Sequence, residues 1–160
     1  AANVFLSEDG RSQAKYLAER LADDNIHAVY ASPLDRTIET AAIIAAALPG
    51  TAIVIEPDLR ERSLGDWNLR PIAETQALLE ARQTPPGGES EEAFKLRITR
   101  GLRRIKSHLH ARPLLVGSKG VARVMGELAG WPGRVALANG EVAEFDIAAR
   151  PFLATTWGQP

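Results

Sequence analysis

The chain has 160 residues, enough for one domain with a sizeable buried core. Its 45% hydrophobic and 24% charged residues are typical of a globular protein, and a formal net charge of -1 gives no overall attraction to nucleic acid or to an anionic membrane. There is no cysteine, which excludes disulfides, thiolate catalysis and cysteine-ligated metals and fits a cytoplasmic location. No apolar run approaches the roughly 18 residues of a membrane-spanning helix.

Helical and strand patterns alternate along the chain. Apolar residues recur with helical spacing in segments that we expect to be helices: residues 7–23, 33–48, 71–82, 90–110 and 120–130. Short apolar runs predict strands at residues 28–31, 52–56, 114–116, 135–138, 142–147 and 152–156. Residues 57–69 show no period and are predicted to form a loop. The helix at 90–110 carries four arginines mostly off its apolar stripe: Arg97, Arg100, Arg103 and Arg104.

Because helices separate the strands, we predict an α/β fold in one domain over residues 1–160. Its architecture would be a three-layer α/β/α sandwich with a mostly parallel central sheet. Ligands of such folds bind beyond the carboxyl ends of the strands. Three loops follow the predicted strands at that edge and hold the candidate site residues: residues 32–36, 56–67 and 117–120.

The first loop brings Arg36 to the start of a helix. Free backbone N–H groups and the positive end of the helix dipole favour an anion there, and a guanidinium can bind phosphate or carboxylate with two hydrogen bonds. These features predict a phosphate or carboxylate site. The alternative is a surface arginine paired with Asp35 or Glu39.

The second loop places Glu61 between Arg60 and Arg62. A carboxylate beside a bound anion could act as a general acid or base. The alternative is a solvated loop with an ion pair that contributes little to stability.

The third loop resembles a small anion-binding turn after a buried strand, with Ser118 and Lys119 at the start of the next helix. It lacks the glycine spacing of a P-loop, and a lysine in this position is ordinarily solvated. Together, the three loops bring two or three cations and one carboxylate to one edge of the sheet. That combination indicates a phosphate-ester site rather than a site for an apolar ligand.

Five segments, in order, resemble motifs of the histidine phosphatase (phosphoglycerate mutase-like) superfamily. Residues 6–14 are similar to L-[ST]-x-x-G-x-x-Q-A, residues 32–40 to S-x-L-x-R-x-x-E-T, and residues 59–67 to L-x-E-x-x-x-G-x-W. Gly-Gly-Glu-Ser at 87–90 and Asn-Gly-Glu-Val at 139–142 also have counterparts. The resemblance implies a phosphoglycerate mutase-like fold and phosphomonoester hydrolysis through a phosphohistidine. A flavodoxin-like nucleotide-binding domain would need a glycine-rich first turn, which this sequence lacks.

The resemblance also implies roles for particular residues. Arg36 would hold the phosphate, Glu61 would protonate the leaving oxygen, and Arg62 would contact the substrate or support the site. Two departures stand out. No R-H-G, the motif of the attacking histidine, occurs in the chain, and the S-H-G of the second histidine reads Ser118-Lys119-Gly120. Lys119 retains a positive charge for phosphate but not the titration of an imidazole.

The three histidines that are present, His27, His108 and His110, are expected to have structural roles. The family's first strand lies centrally in its sheet, and losing it would leave buried backbone groups unpaired. We therefore expect the native protein to have residues before Ala1.

Two functions remain open. One is a phosphatase whose activity is impaired, and the other is an inactive pseudophosphatase that binds a phosphorylated ligand or a protein partner. The expected ligand is a phosphorylated small molecule or a phosphate or sulfate anion. Neither a cofactor nor a metal is expected, nor binding to nucleic acid or membrane, and a homodimer is left open.

Overall fold

The computed structural model describes residues 4–108, 110, 112–133 and 137–146, and within them three parallel strands form the sheet. The strands are β1 (Ala28–Ala31), β2 (Ala52–Ile55) and β3 (Pro113–Val116), in the order β2-β1-β3. The helices are α1 (Glu8–Arg20), α2 (Asp35–Ala47), α3 (Ile72–Glu80), α4 (Glu91–Lys106) and α5 (Lys119–Leu128). Two short 3-10 turns, Pro57–Leu59 and Gly65–Leu69, lie in the predicted loop.

Serine caps set the start of three of these helices. Ser7 accepts a hydrogen bond from the Gly10 N–H at 3.1 Å, and Ser90 accepts one from the Ala93 N–H at 3.1 Å. Ser118 does the same for α5, with the Val121 N–H at 3.5 Å. Each cap satisfies a backbone donor that has no partner inside the helix.

Two apolar clusters show that the sheet has a helix layer on each face. Ala28, Tyr30 and Leu115 pack in one cluster with α4 and α5. The other cluster contains Val29 and Ala31 of β1 and Leu114 and Val116 of β3, which pack with α1 and α2. Because successive strand side chains point to opposite faces, β1 contributes to both clusters, and all four of its residues are buried. The predicted α/β/α sandwich is therefore confirmed.

The two outer strands of the described sheet differ in their surroundings. In β2 the side chains of Ile53, Val54 and Ile55 remain 40–42% exposed. The residues of β3 are half-buried, and a cavity of about 1030 Å³ runs along the whole strand. The segment 137–145 and residues of α1, α2 and α5 also line this cavity.

The predicted C-terminal strands are not observed in the described residues. Residues 141–146 have no regular secondary structure, so the strand predicted at 142–147 is wrong over that stretch. A strand needs a neighbour to pair its backbone groups, and none of the described strands pairs with this segment. Most of the strand predicted at 135–138, and all of that at 152–156, lies outside the described residues. No described helix is long and apolar enough to cross a membrane.

Candidate functional site

The candidate site lies where the three parallel strands end. The Ser32 N–H donates to the Val116 carbonyl at 3.0 Å, and the Glu56 N–H donates to the Ala31 carbonyl at 2.8 Å. These hydrogen bonds align the carboxyl ends of β1, β2 and β3, so the loops that follow leave from one edge. Since β2 and β3 lie on opposite sides of β1, this edge is a topological switch point, the usual place for a ligand in an open α/β sheet.

Arg36 lies in the first turn of α2 and lines the cavity. The turn before it is fixed by the buried Thr37 hydroxyl, which is 2.7 Å from the carbonyls of Ser32 and Leu34 and 2.8 Å from the Ser32 hydroxyl. This network explains why α2 begins at Asp35 rather than at Pro33, because it holds residues 32–34 in a tight turn outside the helix. Among the described residues, the Arg36 guanidinium has no hydrogen-bond or ion-pair partner.

Glu39, one of the two alternative partners of Arg36, is bound elsewhere. Its carboxylate accepts the Leu6 N–H at 2.9 Å and the Arg11 Nε–H at 2.5 Å. The Leu6 hydrogen bond, and then the Arg11 guanidinium, lower the pKa of Glu39. The side chain thus ties the segment before α1 to α2 and leaves Arg36 available to a ligand.

Glu61 is half-buried and lines the same cavity. Its Oε1 accepts the backbone N–H of Arg62 at 2.7 Å. Its carboxylate lies against Gly120, the second residue of α5, so closely that a Cβ on Gly120 would collide with both carboxylate oxygens. The carboxylate is therefore held at the positive end of a helix dipole, beside the turn that carries Ser118 and Lys119.

Ser118 and Lys119 line the cavity as well. Lys119 is exposed and has no ion-pair partner among the described residues. A cation in the first turn of a helix is unfavourably placed in the helix dipole. A bound anion would offset this cost, whereas solvent alone offsets it only in part.

Arg62 does not lie with the other predicted site residues. Its side chain is buried and outside the cavity lining, and all three guanidinium nitrogens donate to protein acceptors. Nε donates to the Glu89 carbonyl at 2.9 Å, Nη2 to the Gln83 carbonyl at 2.9 Å, and Nη1 to the Glu91 carboxylate at 3.1 Å. The structure thus brings Arg36, Glu61, Ser118 and Lys119 together and directs Arg62 away from them.

Arg97 was missed as a residue of functional interest. It was predicted to lie mostly off the apolar stripe of α4, yet it is only 4% exposed. Its guanidinium lies over the Phe94 ring, with Cζ 5.1 Å from the ring centroid. The available signal was its spacing, three residues after Phe94, which places it beside the stripe.

The histidines lie away from the site. His27 is exposed at the amino end of β1, and His108 and His110 follow the end of α4. None of the three lines the cavity. The described residues also contain no cluster of three or more metal-ligating side chains.

The described residues thus place Arg36, Lys119, the Glu61 carboxylate and the N-terminus of α5 at the carboxyl edge of a parallel sheet with helices on both faces. Comparison with protein-family models makes the class specific. The model described as "Histidine phosphatase superfamily (branch 1)" matches residues 1–159. The chain belongs to this superfamily.

Curated relatives include phosphoglycerate mutase-like proteins. "Phosphoglycerate mutase-like protein 4" of Arabidopsis thaliana is 37% identical over 79% of this chain, which spans 61% of that relative's length. "Probable phosphoglycerate mutase GpmB" of Photorhabdus laumondii is 32% identical over 95% of this chain and 78% of its own length.

Similar solved structures include phosphatases. A mycobacterial glucosyl-3-phosphoglycerate phosphatase has a TM-score of 0.67 and 26% identity, covering 81% of this chain and 70% of the other. The alpha-ribazole phosphatase of Shigella flexneri has a TM-score of 0.66 and 27% identity, covering 82% of this chain and 70% of the other.

Proposed function

We propose that one end of this cavity, the end at the carboxyl edge of the sheet, binds the phosphate group of a phosphorylated small molecule. Arg36 and Lys119 would neutralise the phosphate oxygens, and Ser118 and the start of α5 would donate hydrogen bonds to them. The observation that carries this proposal is the lining of one cavity by Arg36, Glu61, Ser118 and Lys119. These residues come from three different loops, and both cations lack an ion-pair partner among the described residues.

The reaction that fits this site and the family is hydrolysis of a phosphate monoester. By resemblance, a histidine attacks phosphorus, the ester P–O bond breaks, and Glu61 gives its proton to the leaving oxygen. Water then cleaves the phosphohistidine and returns a proton to Glu61. None of the three histidines in this sequence lies in R-H-G or lines the cavity, so the proposal requires a nucleophilic histidine other than these three. We place this activity in the cytoplasm.

Lys119 predicts that this hydrolysis is slow. Removing one electrostatic stabiliser of a transition state commonly costs about 10²–10³ in rate. The test is incubation of the full-length gene product with para-nitrophenyl phosphate, measuring phosphate release and trapped phosphoenzyme. Slow turnover with a trapped acid-labile phosphoenzyme would support the proposal. Absence of both turnover and trapped phosphate would remove the hydrolytic function.

A pseudophosphatase is the second candidate, and Lys119 itself favours it. An ammonium can bind phosphate but cannot reproduce the geometry or titration of an imidazole. Such a protein would bind a phosphate ester without hydrolysing it. The variant Lys119→His separates the two candidates: regained hydrolysis would mean that the nucleophile is present, while unchanged binding without hydrolysis would support the pseudophosphatase.

A further inference from the structure

The buried Arg97 of α4 binds the loop that carries Glu61. Its Nη1 donates to the carbonyl of Asp58 at 2.8 Å and to that of Arg60 at 2.9 Å. Its Nη2 donates to the carbonyl of Glu61 itself at 3.4 Å. Three carbonyls within residues 58–61 thus share one guanidinium, which fixes the backbone immediately before the Glu61 side chain.

The remaining donors of Arg97 bind Glu89. Nε donates to Glu89 Oε1 at 2.8 Å, and Nη2 donates to Glu89 Oε2 at 2.5 Å. Burial raises the pKa of Glu89, but the hydrogen bonds and charge of Arg97, together with the Ser63 N–H and the charge of Arg60, lower that pKa overall. All five N–H groups of Arg97 are therefore used, which satisfies a charge that would otherwise be costly to bury.

Glu61 is also anchored on its other side. The next residue, Arg62, is buried, and its Nε donates to the carbonyl of Glu89. Glu89 therefore joins both anchors, receiving Arg97 at its carboxylate and Arg62 at its carbonyl. The half-buried Glu61 carboxylate lies between these anchors and the N-terminus of α5.

We propose that Arg97, held by Glu89, is the positioning residue that keeps the Glu61 carboxylate at the anion site. It acts only through Glu61, because it does not line the cavity. The proposal rests on the proposed function in taking phosphate as the ligand. The contacts of Arg97 with the Glu61 loop do not depend on that function. Lysine at position 97 would retain the charge, yet its single ammonium cannot serve three carbonyls and both carboxylate oxygens together.

The test is a double-mutant cycle on the affinity for inorganic phosphate, measured by calorimetry with the full chain at about pH 8. The Glu61 carboxylate lies at the proposed anion site and would repel phosphate, so Glu61→Gln should tighten binding by roughly three- to tenfold. Arg97→Lys should change the affinity by about threefold or more in the parent protein and by less than about twofold in Glu61→Gln. A purely structural role would change both backgrounds equally, and that result would overturn the proposal.

A second measurement needs no ligand. The Arg62 N–H donates to Glu61 Oε1, so its hydrogen exchange reports whether the carboxylate is in place. Arg97→Lys should speed exchange at Arg62 by about tenfold or more while leaving β1 unchanged. Arg103→Lys, a like change at an exposed position of α4, is the matched control and should alter neither. Glu89→Gln serves as a second variant in case Arg97→Lys does not fold. It leaves the contacts of Arg97 with the carbonyls, so exchange at Arg62 should be faster than in the parent but speeded by less than the roughly tenfold expected for Arg97→Lys.

The two measurements separate this proposal from the proposed function. If phosphate does not bind the parent protein, the function fails, and hydrogen exchange alone decides the role of Arg97. Unchanged exchange at Arg62 in both Arg97→Lys and Glu89→Gln would overturn the positioning role whatever the phosphate affinity.

Discussion

The Glu61 carboxylate lies against Gly120, at the place that a Cβ of any other residue would occupy. Only glycine at this position lets the loop after β2 approach the start of α5. The contact joins two of the three loops at the site, and it explains a glycine in the first turn of a helix, where it lowers helix propensity.

Gly120→Ala should therefore move Glu61 without unfolding the protein. The colliding atoms are the far end of a flexible side chain, which can turn away, and alanine improves helix propensity. We expect the free energy of unfolding to stay within about 1 kcal/mol of the parent, while phosphate binds more tightly as the carboxylate leaves. Gly117→Ala is the matched control, since its Cβ would make only an ordinary 3.6 Å contact with Val121. Equal phosphate affinities for the two variants would contradict the account.

Arg62→Ala should mainly reduce stability. It would leave the buried Glu91 carboxylate without this partner and two carbonyls without their donor. Breaking a buried ion pair costs about 3–5 kcal/mol, whereas an exposed pair contributes about 0–1 kcal/mol. Urea unfolding should show this difference between Arg62→Ala and the control Arg11→Ala, whose side chain is 44% exposed. A similar small loss in both variants would contradict a buried structural role for Arg62.

Lys119→Gln should stabilise the free protein and weaken phosphate binding. Removing a cation from the first turn of α5 relieves an unfavourable interaction with the helix dipole of about 0.3–1 kcal/mol. Removing it from the cavity also takes away a charge that would hold phosphate. Thermal unfolding without phosphate measures the change in stability, and calorimetry with phosphate measures the change in affinity. Lower stability of the free variant, or unchanged affinity, would count against Lys119 as an anion ligand.

Acid should weaken the contact between α4 and the turn after β2. Hydrogen bonds from Arg100, and then from Arg104, hold the pKa of Asp58 well below its usual range, and Arg104 lowers the pKa of Glu56. Because both folded-state pKa values lie below the unfolded ones, this stability is present above about pH 4 and is lost as pH falls through the folded values.

The double variant Arg100→Gln, Arg104→Gln should therefore lose less stability on acidification than the parent. Urea unfolding from about pH 7 to about pH 3 gives the slope of the unfolding free energy against pH for the parent and for the double variant. Arg20→Gln, a change on another exposed helix surface, should retain the parent slope. Identical slopes in the parent and the double variant would contradict a role for these ion pairs.

Much of the fold could be predicted from local sequence patterns. Ser7 and Ser90 mark the helix starts because the capping hydrogen bond spans only three residues. The core strands could be identified because β1 is apolar along its length and buried on both faces. Local patterns do not show which strand a segment will pair with. The strand predicted at 142–147 is therefore wrong over its described residues, which have no regular secondary structure.

Part of the candidate site could be predicted from the sequence, namely the residues that the strand order brings to one edge of the sheet. Arg36, Glu61 and Lys119 follow strands that must end at one edge, so topology alone brings them together. The direction of Arg62 depends on Glu89 and Glu91, nearly thirty residues away, and no local pattern shows it. The burial of Arg97 likewise depends on carbonyls of a loop from another part of the chain.

The most direct test of the central claim is the affinity of the full chain for inorganic phosphate in the parent, Arg36→Ala and Arg20→Ala. Hydrogen bonds between charged groups contribute about 1.5–3 kcal/mol, so losing the Arg36 guanidinium should weaken binding by roughly ten- to a hundredfold. Arg20 lies at the end of α1, outside the cavity lining, and Arg20→Ala should bind like the parent. An Arg36→Ala variant that folds and binds phosphate as tightly as the parent would contradict the assignment of this cavity as a phosphate site.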